Sequence, residues 1–216
     1  MGDARSALAR RIEHTLLKPT ATAGDIEREV GNAVQWSCIA FCVHPCWTAH
    51  AATLADGALE IVSVTGFPFG TETPATKAHG AAEAVQHGAS EIDMVIHQGA
   101  VKSGDWRTVA TDVAEVRRAI PDAALKVILE TGALTRDELE RAARVCMQEG
   151  ADFLKTCTGY GPRGATVEDV EILAPFGPVK ASAGIRTREQ AEALVAAGAA
   201  RLGCSGTADI LAGFPA

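Results

Sequence analysis

One short pattern recurs four times in this chain and limits what it can fold into. It reads Gly57-Ala58-Leu59-Glu60-Ile61, Gly88-Ala89-Ser90-Glu91-Ile92, Gly150-Ala151-Asp152-Phe153-Leu154 and Gly198-Ala199-Ala200-Arg201-Leu202. Each time a helix-like stretch ends at glycine, the residue that most readily takes the left-handed conformation that stops a helix. A short apolar run starts two or three residues later, as expected of a strand buried on both faces. Helix starts are legible too. Thr135-Arg136-Asp137-Glu138 and Thr187-Arg188-Glu189-Gln190 match the capping box, in which a hydroxyl and a carboxyl or amide satisfy orphan backbone amides reciprocally. Thr166-Val167-Glu168-Asp169 is a weaker relative.

Strand, helix, Gly-Ala, strand is therefore the grammar of the chain, and it predicts a parallel sheet covered by helices. Eight strands are expected, near Glu13–Leu16, Ile39–Val43, Glu60–Val64, Ile92–Ile96, Lys126–Leu129, Phe153–Lys155, Val179–Ala181 and Leu202–Cys204. Eight strands in 216 residues suit a compact (β/α)8 TIM barrel. A doubly wound open sheet is the alternative. No Pro/Ser-rich linker interrupts the pattern, so residues 1–216 read as one domain.

Composition narrows the function classes. Hydrophobic residues make up 47% and charged residues 22%, enough for a sizeable core. The net charge is -7 and no basic stripe occurs, which argues against a nucleic-acid partner. An anionic substrate would need a locally electropositive site against that background. The six cysteines form no C-x-x-C pair, and a chain with a filled core needs no disulfide framework. Cys38, Cys42 and Cys46 cross a strand-like stretch, so no single helix face gathers them as metal ligands. No apolar signal core or membrane-length stretch appears, and a reducing cytoplasm is the expected compartment.

In a βα barrel the active site lies at the C-terminal ends of the strands. Three polar residues fall at such ends: Asp93 in strand four, Lys155 in strand six and Lys180 in strand seven. Strand lysines usually snorkel to water, and Lys126, read as opening strand five, is assigned that bland role. Lys155 and Lys180 sit one strand–helix unit apart, hence on neighbouring strands whose axes are about 4.8 Å apart. Two ammonium groups roughly 4 Å apart repel by about 4 kcal/mol at an effective dielectric near 20. That is enough to push one of the pair well below the ordinary lysine range. A neutral lysine attacks carbonyls to form a Schiff base, a cationic neighbour being one way to activate it. Asp93 is the candidate proton carrier. Ser182-Ala183-Gly184-Ile185-Arg186 and Gly203-Cys204-Ser205-Gly206-Thr207 follow strands seven and eight, where many barrels bind phosphate. Thr158-Gly159-Tyr160-Gly161 is placed to add amides.

These residues resemble those of the deoxyribose-phosphate aldolases. The similar segments are His14-Thr15-Leu16-Leu17-Lys18-Pro19, Val64-Thr65-Gly66-Phe67-Pro68-Phe69-Gly70, Glu91-Ile92-Asp93-Met94-Val95, Leu154-Lys155-Thr156-Cys157-Thr158-Gly159 with Gly164–Asp169, and Val179–Arg186. They run in order over nearly the whole chain. The resemblance implies a class I aldolase with no metal or cofactor, acting on small phosphorylated sugars and aldehydes. It would interconvert 2-deoxy-D-ribose 5-phosphate with D-glyceraldehyde 3-phosphate and acetaldehyde. By that pattern Lys155 forms the Schiff base, Lys180 tunes it and Asp93 transfers protons. Thr15, Lys18 and Cys42 would line the pocket, and Thr158, Gly159, Gly184 and Ser205 would hold the substrate and its phosphate.

Four departures stand out. Glu13 replaces a usual Asp, which is expected to shift hydroxyl recognition. Ala183 replaces a second Gly, which is expected to crowd the phosphate. Gly206 replaces a frequent Ser, and no tyrosine occurs near the end, Phe214-Pro215-Ala216. Weaker phosphate contacts would widen tolerance to non-phosphorylated aldehydes. Competing readings are another Schiff-base aldolase or a transaldolase, a pyridoxal-phosphate enzyme, and a non-catalytic barrel scaffold. A homo-oligomer is possible, with Trp36, Trp47 and Trp106 marking either an interface or local packing.

Overall fold

The computed structural model describes residues 2–214. Pro215 and Ala216, on which the reading of the chain end partly rests, lie outside the described residues. Eight strands form: β1 (Ile12–Leu16), β2 (Ala40–Val43), β3 (Glu60–Thr65), β4 (Glu91–Val95), β5 (Ala124–Ile128), β6 (Phe153–Lys155), β7 (Val179–Ser182) and β8 (Ala199–Cys204). All neighbours are parallel, and β1 pairs with both β2 and β8. Pairing of Ile12 with Leu202 and His14 with Cys204 closes the sheet and rules out the open alternative. The structure is the (β/α)8 barrel that the repeated unit predicts.

The repeat works as its chemistry suggests. Gly88, Gly150 and Gly198 all take positive φ, at 98°, 93° and 113°. In the first repeat Asp56 takes the left-handed helix stop just ahead of Gly57. Thr135 and Thr187 cap the helices Arg136–Gln148 and Arg188–Ala196 with complete capping boxes. Thr166 also closes a full box on Val167–Leu173, and a fourth, unanticipated one joins Thr22 to Asp25. The latter two use Asp as the third helical residue. Its shorter carboxylate still reaches the capping amide, at 3.0 Å and 2.9 Å respectively.

Two apolar layers result. Between strands and helices, residues such as Phe41, Ile92, Met94, Leu125, Val127 and Leu154 pack against Ile26, Val30, Val113, Leu139 and Leu194. Each fully buried aliphatic or aromatic side chain of this kind contributes about 1.5–3 kcal/mol. Inside the barrel, β2 and β3 supply a small apolar wall of Ala40, Cys42, Val62 and Val64, capped by Leu17. The rest of the interior is strongly polar, and that asymmetry positions the site. The three tryptophans are half-buried against the outer core, with Arg141 stacked over Trp106. Among the described residues no helix is long and apolar enough to cross a membrane.

Removal of one cap tests the local account. Thr135→Ala is expected to lower unfolding free energy by about 1 kcal/mol in urea, with Thr135→Ser close to the parent.

Candidate active site

Lys155 ends β6 and pairs in register with Lys180 on β7, as their spacing predicts. Both side chains turn inward and meet on one oxygen. Asp93 Oδ2 accepts from Lys155 Nζ at 2.7 Å and from Lys180 Nζ at 2.6 Å. The other oxygen, Oδ1, lies 3.2 Å from Lys126 Nζ. Lys180 also pairs with Glu13, and Lys126 with Glu91. Arg201 stands 3.6 Å from Glu91 at the start of β4. A column of alternating charges therefore runs down the barrel, from Lys155 at the mouth to Arg201 near the opposite end.

Lys126 departs from expectation. β5 begins at Ala124, two residues earlier than predicted, so Lys126 sits mid-strand opposite Asp93 rather than at the strand start. It is completely buried and belongs to the charged column instead of snorkelling to water. Glu13 departs as well. The residue expected to alter hydroxyl recognition is fully buried and ion-paired to Lys180, with Lys126 at 3.6 Å. Gly203 on β8 explains itself here. A Cβ at that position would come within 2.9 Å of Lys180 Cε, so glycine leaves the lysine its room.

Electrostatics follow from this geometry. Burial alone works against a charged Asp93, but the ammonium groups of Lys126, Lys155 and Lys180 overrule it and hold the carboxyl well below its ordinary range. Burial likewise opposes charge on Lys180 and Lys126. Asp93 and Glu13 reverse that and raise both above the usual lysine value. The repulsion anticipated between two bare ammonium groups is thus corrected: a carboxylate sits between them, and Lys180 is held cationic.

Above the column opens a cleft of about 640 Å³. Lys155 reaches its floor, and Thr15, Lys18, Thr158, Gly159, Gly184 and Ser205 line it. Asp93 and Lys180 lie behind Lys155, fully buried. Cys42 is not in the lining. It is buried in the apolar inner wall, and burial pushes its thiol up to about 11. Among the described residues no group of three or more His, Cys, Asp or Glu is arranged to hold a metal ion.

The rim carries features that motif reading passed over. Glu130, after β5, adopts a left-handed φ of 56° and is almost fully buried. Its Oε2 accepts from the Thr158 hydroxyl at 2.5 Å and the Thr158 amide at 3.2 Å, fixing the loop after β6. Arg163 in that loop forks onto Asp169 at 2.5 and 2.8 Å. Tyr160 donates its hydroxyl across the mouth to the Leu17 carbonyl at 2.9 Å. Ser182 donates to the Cys157 carbonyl at 2.6 Å, tying the ends of β6 and β7. Ala183 has φ of 74°, the conformation that favours the glycine it replaces, and borders the cleft. Gly206 caps the helix Thr207–Ala212 with no side-chain hydrogen bond.

A closed βα barrel with a lysine amine on its cleft floor, backed by a shared carboxylate and ringed by glycine-bearing loops, defines an aldolase-type barrel. The family model of the DeoC/LacD family aldolases matches residues 8–214, and the chain belongs to that family. It is 44% identical over 212 residues to the deoxyribose-phosphate aldolase of Deinococcus radiodurans, covering 96% of each chain. Among solved structures it resembles the aldolase QR15 at 36% identity and a TM-score of 0.92, over 95% of this chain and 94% of that one. It also resembles the tetrameric deoxyribose phosphate aldolase from Aeropyrum pernix at 32% identity and a TM-score of 0.90, over 96% and 91%.

Two substitutions probe this site. Lys126→Met removes one partner of a buried charge cluster and is expected to cost about 3–5 kcal/mol in urea unfolding, whereas the exposed pair Arg136–Glu140 is worth less than about 0.5. Ala183→Gly should leave the melting temperature unchanged or raise it. Left-handed strain of about 1–2 kcal/mol is relieved, and glycine's added unfolded-state freedom takes back about 0.4–1.

Proposed function

We propose that this protein reversibly cleaves 2-deoxy-D-ribose 5-phosphate to D-glyceraldehyde 3-phosphate and acetaldehyde through a Schiff base on Lys155, in deoxyribose catabolism. The observation that carries the reading is the Lys155 amine on the cleft floor, 2.7 Å from a carboxylate it shares with a second amine. The relative in Deinococcus radiodurans, named a deoxyribose-phosphate aldolase, supports the substrate.

In this reading the Lys155 ammonium hands one proton to Asp93 Oδ2 and the resulting amine adds to C1 of the open-chain sugar, its nitrogen proton moving to the former carbonyl oxygen to give the carbinolamine. Asp93 then returns its proton to that hydroxyl, which leaves as water to give a protonated imine. Ionised Asp93 takes the C3 hydroxyl proton, the C2–C3 bond breaks to release the three-carbon aldehyde, and the bonding electrons enter the imine as an enamine. Return of that proton to C2 and addition of water release acetaldehyde and regenerate the Lys155 ammonium. Lys180 stays cationic throughout and keeps Asp93 ionised between proton transfers. The protonated imine is the electron sink, so the sequence of steps calls for no metal.

Substrate contacts extend the reading. Thr15 and Lys18 bound the sugar end, with Thr158 fixed by Glu130 beside them. Amides at Gly159 and Gly184 and the Ser205 hydroxyl receive the phosphate. Ala183 and Gly206 weaken that cradle, one by bulk and one by a missing donor. The enzyme works in a reducing cytoplasm with its cysteines as free thiols. It self-associates, in line with the tetrameric relative from Aeropyrum pernix.

Borohydride reduction in the presence of acetaldehyde, followed by peptide mapping, tests the central step. An ethyl group on Lys155 is expected; no adduct, or one on Lys180, overturns the assignment. The cradle is tested separately by kcat/KM for 2-deoxyribose against its 5-phosphate. A smaller preference for the phosphate than in relatives with glycine and serine at these positions is expected, and an equal preference rejects the weakened cradle.

A further inference from the structure

His14 is nearly fully buried and takes no part in the chemistry above. It lies on β1 between Glu13, which faces the charged column, and Thr15, which faces the cleft. Alternation sends its ring outward, towards the helix layer. There it meets Trp36 edge-on at 5.3 Å and Phe41 at 5.8 Å. Both ring nitrogens have partners. Nε2 is 3.1 Å from Glu29 Oε2, and Nδ1 is 2.8 Å from the Thr207 hydroxyl.

The directions of these bonds can be assigned. Partial burial works against ionisation of Glu29, but hydrogen bonds from Asn32, His14 and Arg28 outweigh it and hold the carboxyl below its ordinary range. An ionised carboxylate only accepts, so Nε2 carries the hydrogen. Burial lowers the His14 pKa against the pull of Glu29, so the ring is neutral near pH 7 and Nδ1 is an acceptor. The Thr207 hydroxyl therefore donates to His14.

Carboxylate, imidazole and hydroxyl in a row resemble a nucleophile relay. Thr207 is completely buried and is absent from the lining of either cleft, so no substrate reaches its oxygen. The row transmits position instead. Thr207 opens the helix Thr207–Ala212 directly after Ser205 and Gly206, and its hydroxyl ties to β1 rather than capping that helix. Gly206 supplies no side-chain cap of its own. Besides a weak contact of the same hydroxyl with Cys204 Sγ at 3.7 Å and the Ile210 amide on the Gly206 carbonyl at 3.1 Å, the bond to His14 is what ties the turn at the anion end to β1. His14 and Glu29 also line a second cleft of about 350 Å³ that shares Thr15, Lys18 and Ser205 with the first.

We propose that His14, oriented by Glu29, is a positioning residue that holds the Ser205–Gly206 turn at the phosphate end of the cleft through the Thr207 hydroxyl. The inference rests on the reading that this turn receives the substrate phosphate.

Thr207→Val removes the donor at nearly constant volume, and Thr207→Ser retains it. For Thr207→Val, KM for 2-deoxyribose 5-phosphate should rise about five- to tenfold, the loss of one hydrogen bond's positioning. The kcat and the kcat/KM for unphosphorylated 2-deoxyribose should hold, and Thr207→Ser should recover the parent KM. Equal losses on both sugars, a fall in kcat at constant KM, or no change would overturn the proposal. If Thr207→Val does not fold, Glu29→Gln reads the same split: a loss confined to the phosphorylated sugar supports the tether, and any other pattern rejects it. Calorimetric binding of inorganic phosphate measures the turn without any aldol step. Phosphate binding weakened in Thr207→Val and restored in Thr207→Ser supports the tether even if the parent cleaves no deoxyribose phosphate, an outcome that sinks the proposed function alone. Phosphate binding untouched by either variant rejects the tether.

Discussion

A single carboxylate organises this barrel. Asp93 is fully buried and accepts from Lys155 and Lys180 on one oxygen, with Lys126 beside the other. An isolated buried charge is costly, on the order of several kcal/mol even after relaxation. Here three ammonium groups and two further carboxylates, Glu13 and Glu91, offset one another. The interior of β1 and β4–β8 is consequently a charged column, while β2 and β3 keep the apolar wall. The arrangement places one amine, Lys155, at the single end of the column that opens into the cleft.

That column was only partly legible in the sequence. Asp93, Lys155 and Lys180 stood out as charges near predicted strand ends, and strand alternation brought Lys155 and Lys180 onto neighbouring strands. Lys126 was misassigned because the boundary of β5 fell two residues late, which moved a mid-strand residue to the strand start. Glu91 is two residues from Asp93 and shares its inward face, a parity signal that would have found it. Glu13 has the same parity as Thr15 and was equally available. Tertiary partners are a different matter. Nothing local ties Glu130 to Thr158, Tyr160 to Leu17 or Gly203 to Lys180, because each pair joins distant segments.

Fold and rim differ in how they tolerate change. The scaffold rests on repeated local signals, glycine stops and threonine caps, each worth about 1 kcal/mol and mutually independent. The rim rests on few, specific devices. Glu130 and Ala183 both hold left-handed backbone that glycine would take more easily, and both border the loops that close around the cleft. Conformations of this kind persist only where the surroundings over-determine them. At Glu130 the constraint is the bond to Thr158. At Ala183 it is the close approach of Gly164, where an added Cβ would lie 2.5 Å from the Ala183 carbonyl oxygen.

The ionisation of Asp93 is the most direct measure of the whole arrangement. Its carboxyl carbon can be followed by NMR across an acid titration and assigned by its loss in Asp93→Asn. Shared coordination by three ammonium groups predicts a resonance that stays at its ionised position well below the ordinary aspartate midpoint of about 3.9, while surface aspartates without close partners titrate near it. Because the folded value is depressed, the stability it confers is present above that midpoint and is lost as the pH falls towards the folded value. A midpoint at or above about 3.9 would contradict the charged column and, with it, the placement of Lys155 as the amine that the rest of the barrel supports.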